Sequence, residues 1–203
     1  MDKVDYKKQL KQYYDSKVDQ PRVVEVPKMM FLKIDGAGSP ADQEYANAIQ
    51  TLYPVAYAIK FICKKELERD YGVMPLEGLW WAEDMTVFST DDKSDWLWTA
   101  MIMQPDFVTK QIFTRAVEQV RSKKNPVSLD KIRFEEYDEG RAAQVMYVGP
   151  YSDEGPTINK LHAFLESQGG ILDGSNKHHH EIYLGDPRRT VPEKLKTIIR
   201  QPF

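Results

Sequence analysis

Apolar and polar positions change their period along the chain, and the changes mark out the elements. Residues 1–20 carry only a weak helical stripe of Tyr6, Leu10 and Tyr13 and read as a short surface arm or helix. After Pro21 the run VVEVPKMMFLKIDG is β-branched and apolar, and Pro27 divides it into two short strands or one bulged strand. Gly36 and Gly38 end it. Ser39-Pro40-Ala41-Asp42 then reads as a helix start, with a serine cap, proline in the first turn and an acid behind it. Tyr45, Ile49, Leu52, Ala56, Ile59 and Cys63 recur at steps of four and three. They form one face of a helix bent at Pro54 and ending near Asp70.

Gly78 to Glu83 leading into Thr86-Val87-Phe88, and Asp95 to Met103, are strand-like, with the polar run Ser89–Asp95 as the turn between them. Trp96, Trp98, Ala100 and Ile102 share one face of the second stretch, and Leu97, Thr99, Met101 and Met103 the other. Both faces are apolar enough to be covered. A helix follows Pro105-Asp106, carrying Val108, Ile112, Phe113, Ala116, Val117 and Val120, and a basic last turn before Pro126 ends it. The second half repeats the grammar. Lys131–Phe134 and Ala142–Val148 are strands; Gly149-Pro150-Tyr151-Ser152 opens a helix with Ile158, Leu161 and Leu165 on one face. His179–Leu184 is a further strand, and Gly185-Asp186-Pro187 leads to a last helix through Leu195, Ile198 and Ile199.

Strand–glycine–capped helix thus occurs at Phe31–Ile62 and again at Val145–Leu165. Strand–(Gln/Asp)-Pro–helix occurs at Trp96–Val120 and at His179–Ile199. The expected fold class is α+β: a pseudo-twofold duplication of a strand–helix–strand–strand unit, antiparallel sheets with helices on one face and a central ligand cleft between the other faces. Residues 1–20 form an N-terminal arm and 21–203 one domain, its halves being about 21–125 and 126–203.

Charge and composition narrow the class of function. With 28 Lys+Arg against 31 Asp+Glu the formal charge is −3, which argues against a dedicated nucleic-acid binder. One cysteine, Cys63, permits no internal disulfide and no multi-thiolate metal site, and its place on the apolar stripe suits a core residue. No apolar run approaches the roughly 18 residues that span a bilayer, and the polar N-terminus lacks a signal-peptide stretch. A cytoplasmic protein without membrane association is expected.

Phosphate-binding loops, dinucleotide fingerprints, nucleophile elbows and His-Glu-x-x-His pairs are all missing from the sequence. No cofactor is expected. Of His178-His179-His180, only His179 shares a strand face with Glu181 and Tyr183, so a metal site would need a further ligand. His162 offers no evident partner, and no metal is expected. Glu181 is unusual because glutamate is depleted in strands. Either it faces solvent or pairs with an arginine such as Arg141, or it lies with Tyr183 in the groove, its pKa raised by surrounding aromatics. Trp80, Trp81, Trp96 and Trp98, with Tyr147 and Tyr151 in the second half, are either core or wall. Flat rings around a lone carboxylate suit a cationic or planar hydrophobic ligand.

Tyr147-Val148-Gly149-Pro150-Tyr151 before a helix and Glu181-Ile182-Tyr183-Leu184-Gly185-Asp186-Pro187 near the end resemble the GyrI-like small-molecule-binding domain. Gly78-Leu79-Trp80-Trp81 and Trp98–Phe107 are similar to its stand-alone bacterial branch, and the resemblance runs from about Val23 to Phe203. It implies a pseudo-twofold domain whose cleft has a strand glutamate, here Glu181 with Tyr183 beside it, and aromatic walls. The implied ligand contacts are Glu181, Tyr183, Tyr147, Trp80, Trp81, Trp98 and Tyr53. In drug-sensing transcription regulators the domain is fused to a helix–turn–helix. The 20 residues ahead of it here are too few for one, so direct contact with nucleic acid is not expected. Some stand-alone relatives are hydrolases that open electrophilic cyclopropane rings of DNA-alkylating natural products. That chemistry would make Glu181 the general base, with Tyr147 or Tyr183 as polariser or acid.

Overall fold

The computed structural model describes residues 3–83, 93–171 and 178–203; the expected strand Thr86–Phe88 and most of the Ser89–Asp95 turn lie outside them. In chain order the elements are β1 (Lys3–Val4), α1 (Tyr6–Gln9), α2 (Lys11–Tyr14), β2 (Arg22–Val26), β3 (Met29–Ala37) and α3 (Gln43–Glu66). There follow β4 (Asp70–Tyr71), β5 (Leu76–Trp81), β6 (Leu97–Gln104), α4 (Lys110–Lys123), β7 (Arg133–Tyr137) and β8 (Gly140–Val148). The chain closes with α5 (Gly155–Ser167), β9 (His179–Tyr183) and β10 (Lys196–Pro202). The class is α+β with antiparallel sheet pairing, as the periodicities predict. The elements sort into two compact units that interleave along the sequence: Met1–Gln9, Met29–Met74 and Trp80–Tyr137 form one, and Leu10–Lys28, Pro75–Leu79 and Asp138–Phe203 the other.

In the first unit β3 is the middle strand. It pairs antiparallel with β6 from Met30↔Gln104 to Ala37↔Leu97, and with β7 from Met29↔Tyr137 to Lys33↔Arg133. Leu52, Val55, Ile59 and Cys63 of α3 are buried with Leu32, Ile34, Ala100 and Ile102 of the strands, the expected helix stripe on a sheet. Helix α3 begins three residues later than Ser39 suggests. Asp42 is its N-cap residue, and the Asp42 carboxylate accepts the Ser39 N–H at 2.7 Å, closing a turn ahead of the helix. Pro54 lies inside α3, where it removes one i→i−4 bond without ending the helix. Gly36 lies against the Trp98 ring so closely that a Cβ there would overlap it.

In the second unit the strand order is β2-β8-β10-β9, each pair antiparallel. The final segment is a strand rather than the expected helix. Leu195, Ile198 and Ile199 fit a helical spacing, but Lys196–Pro202 also alternates and is β-branched, and it pairs with β8 on one side and β9 on the other. Ladder bonds on both edges outweigh a three-residue helical stripe. Ala143, Val145, Tyr147 and Ile199 on one sheet face pack with Leu161 and Leu165 of α5. The register Ile199↔Glu181 puts Glu181 on that same, helix-bearing face, not on the opposite one where the groove was expected.

The first 20 residues are partly helical but are no surface arm, because Tyr13 and Tyr14 are buried. Arg22 donates to the carbonyls of Gln12 and Asp15, and Gln144 donates to the same two.

Candidate functional site

Strand β9 separates two chemistries by parity. His180 and Ile182 are fully buried on one face; His179, Glu181 and Tyr183 sit half-buried on the other. Glu181 has a side chain only 12% exposed, and His179 Nε2 lies 3.3 Å from its Oε1. Tyr183 and Glu154 also interact with its carboxyl. Burial pushes the Glu181 carboxyl up, but His179, then Tyr183 and Glu154, more than offset that and hold it below the usual range. This reverses the expected raised value: polar donors, rather than bare aromatic faces, reach the carboxylate. Arg141 is not its partner either, since that guanidinium lies over the Phe203 ring at 4.7 Å and 3.8 Å from Glu25.

The turn between β8 and α5 completes this cluster. Gly149 has φ +152° and sits against the Tyr147 hydroxyl, where a Cβ would collide, and Tyr147 donates to the Pro150 carbonyl at 2.9 Å. Burial raises the Tyr147 pKa, and the charges of Asp153 and Glu154 add to it. Tyr151 meets Tyr183 edge to face at 5.6 Å. His162, which lacked a partner in the sequence, feels the charge of His179; burial first and His179 second lower its pKa. Among the described residues no group of three or more His, Cys, Asp or Glu could hold a metal ion.

The remaining predicted contacts belong to the first unit. Trp98 is fully buried and Trp80 nearly so; both pack on Tyr45, with ring centroids 5.0 and 5.2 Å away, and Trp96 meets Trp80 at 5.9 Å. Trp81 and Tyr53 are half-buried.

Sequence reasoning missed a buried ionic network behind β9. His180 Nε2 lies 2.9 Å from Glu77 and its Nδ1 2.6 Å from Glu139; Arg200 donates to Glu139 at 2.6 Å, to Gln144 at 3.0 Å and to the Tyr13 carbonyl. Tyr14 donates to Glu77 at 2.7 Å. Burial opposes the charge on His180, yet Glu139 and Glu77 raise its pKa to about 9; burial likewise opposes the charge on Glu139, which Arg200 and His180 hold at about 2. The available signal was a lone charge inside each apolar strand: Glu77 in PLEGLWW, Arg200 in TIIRQ.

The chain belongs to the GyrI-like small molecule binding domain family, which it matches over residues 19–203. It is similar to an uncharacterized conserved protein from Listeria innocua (42% identity, TM-score 0.88, covering 98% of this chain and 99% of that one). A hydrolase from Listeria innocua is equally similar (42% identity, TM-score 0.88, 99% of each chain). The C-terminal domain of EcmrR shares the fold at 14% identity (TM-score 0.54, 90% of this chain and 96% of that one). No curated protein matches the chain. No helix among the described residues is long and apolar enough to cross a membrane.

Proposed function

We propose that the chain binds small planar, hydrophobic or cationic molecules, with Glu181 as the charge that meets the ligand and Tyr183 beside it. The observation that carries this reading is the Glu181 carboxylate itself. Its side chain is only 12% exposed, burial that pushes its pKa up is outweighed by His179 and Tyr183, and it lies on the helix-bearing face beside Tyr183, whose ring meets that of Tyr151. A shielded carboxylate attracts a cation far more strongly than an exposed one, because the intervening medium screens less. Phenol rings add area burial and cation–π attraction.

Hydrolysis of electrophilic cyclopropane-type rings is the second reading, favoured by the similarity to a Listeria innocua hydrolase across the whole chain. Glu181 would take the proton of a water attacking the ring methylene, while the ring's electron pair moves into a conjugated carbonyl that is then protonated. Tyr183 already donates toward Glu181, and Tyr147 is committed to the Pro150 carbonyl, so Tyr183 is the nearer assistant. Mass spectrometry of the purified protein with ethidium and with a cyclopropane-bearing alkylator separates the readings. Retention of ethidium without mass gain of the alkylator indicates binding alone; a gain of one water per alkylator, absent in Glu181→Gln, indicates catalysis. Neither retention nor water addition by folded protein refutes both.

A further inference from the structure

Three segments far apart in the chain converge within the first unit. Strand β1 pairs parallel with β4, Lys3↔Asp70 and Val4↔Tyr71, and the Gly72 N–H donates to the Val4 carbonyl at 3.1 Å. Just beyond β1, the Tyr6 ring meets Tyr71 edge to face at 6.1 Å. Phe107, ahead of α4, meets Tyr71 at 5.7 Å and Tyr6 at 6.5 Å. These rings and Val4 wall a cavity of about 180 Å³, and Glu68 and Arg69, both exposed, form its rim. An apolar cavity of about 150 Å³ already accepts benzene. Every lining residue belongs to the first unit, so the cavity shares no residue with the Glu181 cluster.

Two polar groups of this wall are unmet. Tyr71 is 2% exposed, yet its hydroxyl has no hydrogen-bond partner among the described residues. Leaving it unpaired costs free energy that an incoming acceptor would recover. The Arg69 guanidinium lies over the Phe107 ring, 4.8 Å from the centroid, and makes no ion pair among the described residues. Stacking occupies the face of that planar group and leaves its N–H donors free at the edge, the geometry that takes a carboxylate through two bonds. Asp70, the next acid in the chain, does not compete for it. Lys60 and Lys64 of α3 each hold the Asp70 carboxylate at 2.7 Å.

We propose that this cavity binds a small aromatic monocarboxylate, its ring against Tyr6, Tyr71 and Phe107 and its carboxylate on Arg69. Glu68 opposes the guest's charge from the rim, which keeps the affinity modest and excludes a second carboxylate.

Proton NMR titration of the protein at pH 7 with benzoate and with benzylammonium tests the site, because the two probes carry one ring and opposite charges. Benzoate should saturate with a Kd in the millimolar range or tighter, and its ring protons should show Overhauser contacts to the Val4 methyl groups. Benzylammonium should bind at least about tenfold more weakly, and Arg69→Gln should weaken benzoate by a similar factor. Glu68→Gln should strengthen benzoate binding by about two- to fivefold. No saturable benzoate binding, saturation without Val4 contacts, benzylammonium bound as tightly as benzoate, or an Arg69→Gln variant that binds benzoate like the wild type overturns the proposal. Should Arg69→Gln not fold, Glu68→Gln decides: stronger benzoate binding supports the site, and weaker or unchanged binding overturns it.

Discussion

Replacing Glu139 with glutamine should be among the most damaging near-isosteric changes in the second unit. The side chain is about 2% exposed and bridges His180 Nδ1 at 2.6 Å and Arg200 Nη1 at 2.6 Å. Glu77 and Glu139 balance His180 and Arg200; without Glu139 the buried group carries one uncompensated positive charge. Removing one partner of a buried ion pair costs about 3–5 kcal/mol. For a chain of this size that corresponds to a melting temperature lower by roughly 6–20 °C. The pKa displacements give a second handle on the same energy. His180 is raised from 6.5 to about 9 in the folded state, so its contribution is complete below pH 6.5 and is lost as pH rises through 9. Glu139 is lowered from 4.5 to about 2, so its contribution is complete above pH 4.5 and lost as pH falls through 2. Each displacement is worth on the order of 3 kcal/mol. They describe one shared interaction and are not summed. Urea unfolding followed by far-ultraviolet circular dichroism should show wild-type stability highest between pH 4.5 and 6.5. Glu139→Gln should lose stability throughout that window and lose its dependence on pH near 9. A variant within 1 kcal/mol of the wild type at pH 6, or one that keeps the alkaline limb, refutes the argument.

Other positions yield simpler outcomes. Leu161→Ala empties a fully buried site between α5 and the sheet and should cost about 2–5 kcal/mol by urea unfolding. Gly149→Ala places a Cβ against the Tyr147 hydroxyl at φ +152° and should lower the melting temperature, whereas Gly155→Ala, with open space around it, should not. Cys63 is buried and burial raises its thiol pKa, so it should resist a thiol reagent at pH 7.5 until the protein is unfolded; prompt labelling of native protein contradicts that.

The parts of the fold written in long periodic runs were legible from the sequence. The stripe Leu52, Ala56, Ile59, Cys63 marks α3, and the even spread of apolar residues over both faces of Leu97–Gln104 marks a strand covered twice. What failed were segments whose identity is set by distant partners. Lys196–Pro202 is ambiguous alone and becomes a strand because β8 and β9 flank it. Tyr13 and Tyr14 look like surface residues until Glu77 and Arg200, 63 and 187 residues away, supply partners. Strand parity correctly grouped His179, Glu181 and Tyr183 and set His180 opposite them. It carried no information on Glu154, which bears on the Glu181 carboxyl from the residue ahead of α5. The direction of the Glu181 pKa was missed because burial, which raises it, is outweighed by His179 and Tyr183 on its own strand and then by Glu154.

Ligand affinity in Glu181→Gln bears most directly on the whole account. Fluorescence titration of ethidium and of uncharged pyrene against wild type and variant at pH 7 compares one charge at constant shape. Loss of a shielded ion pair of about 2–5 kcal/mol predicts at least a roughly 30-fold weaker ethidium complex, with pyrene changed less than about threefold. Equal weakening of both ligands, or of neither, would show that the carboxylate is not what meets the cation.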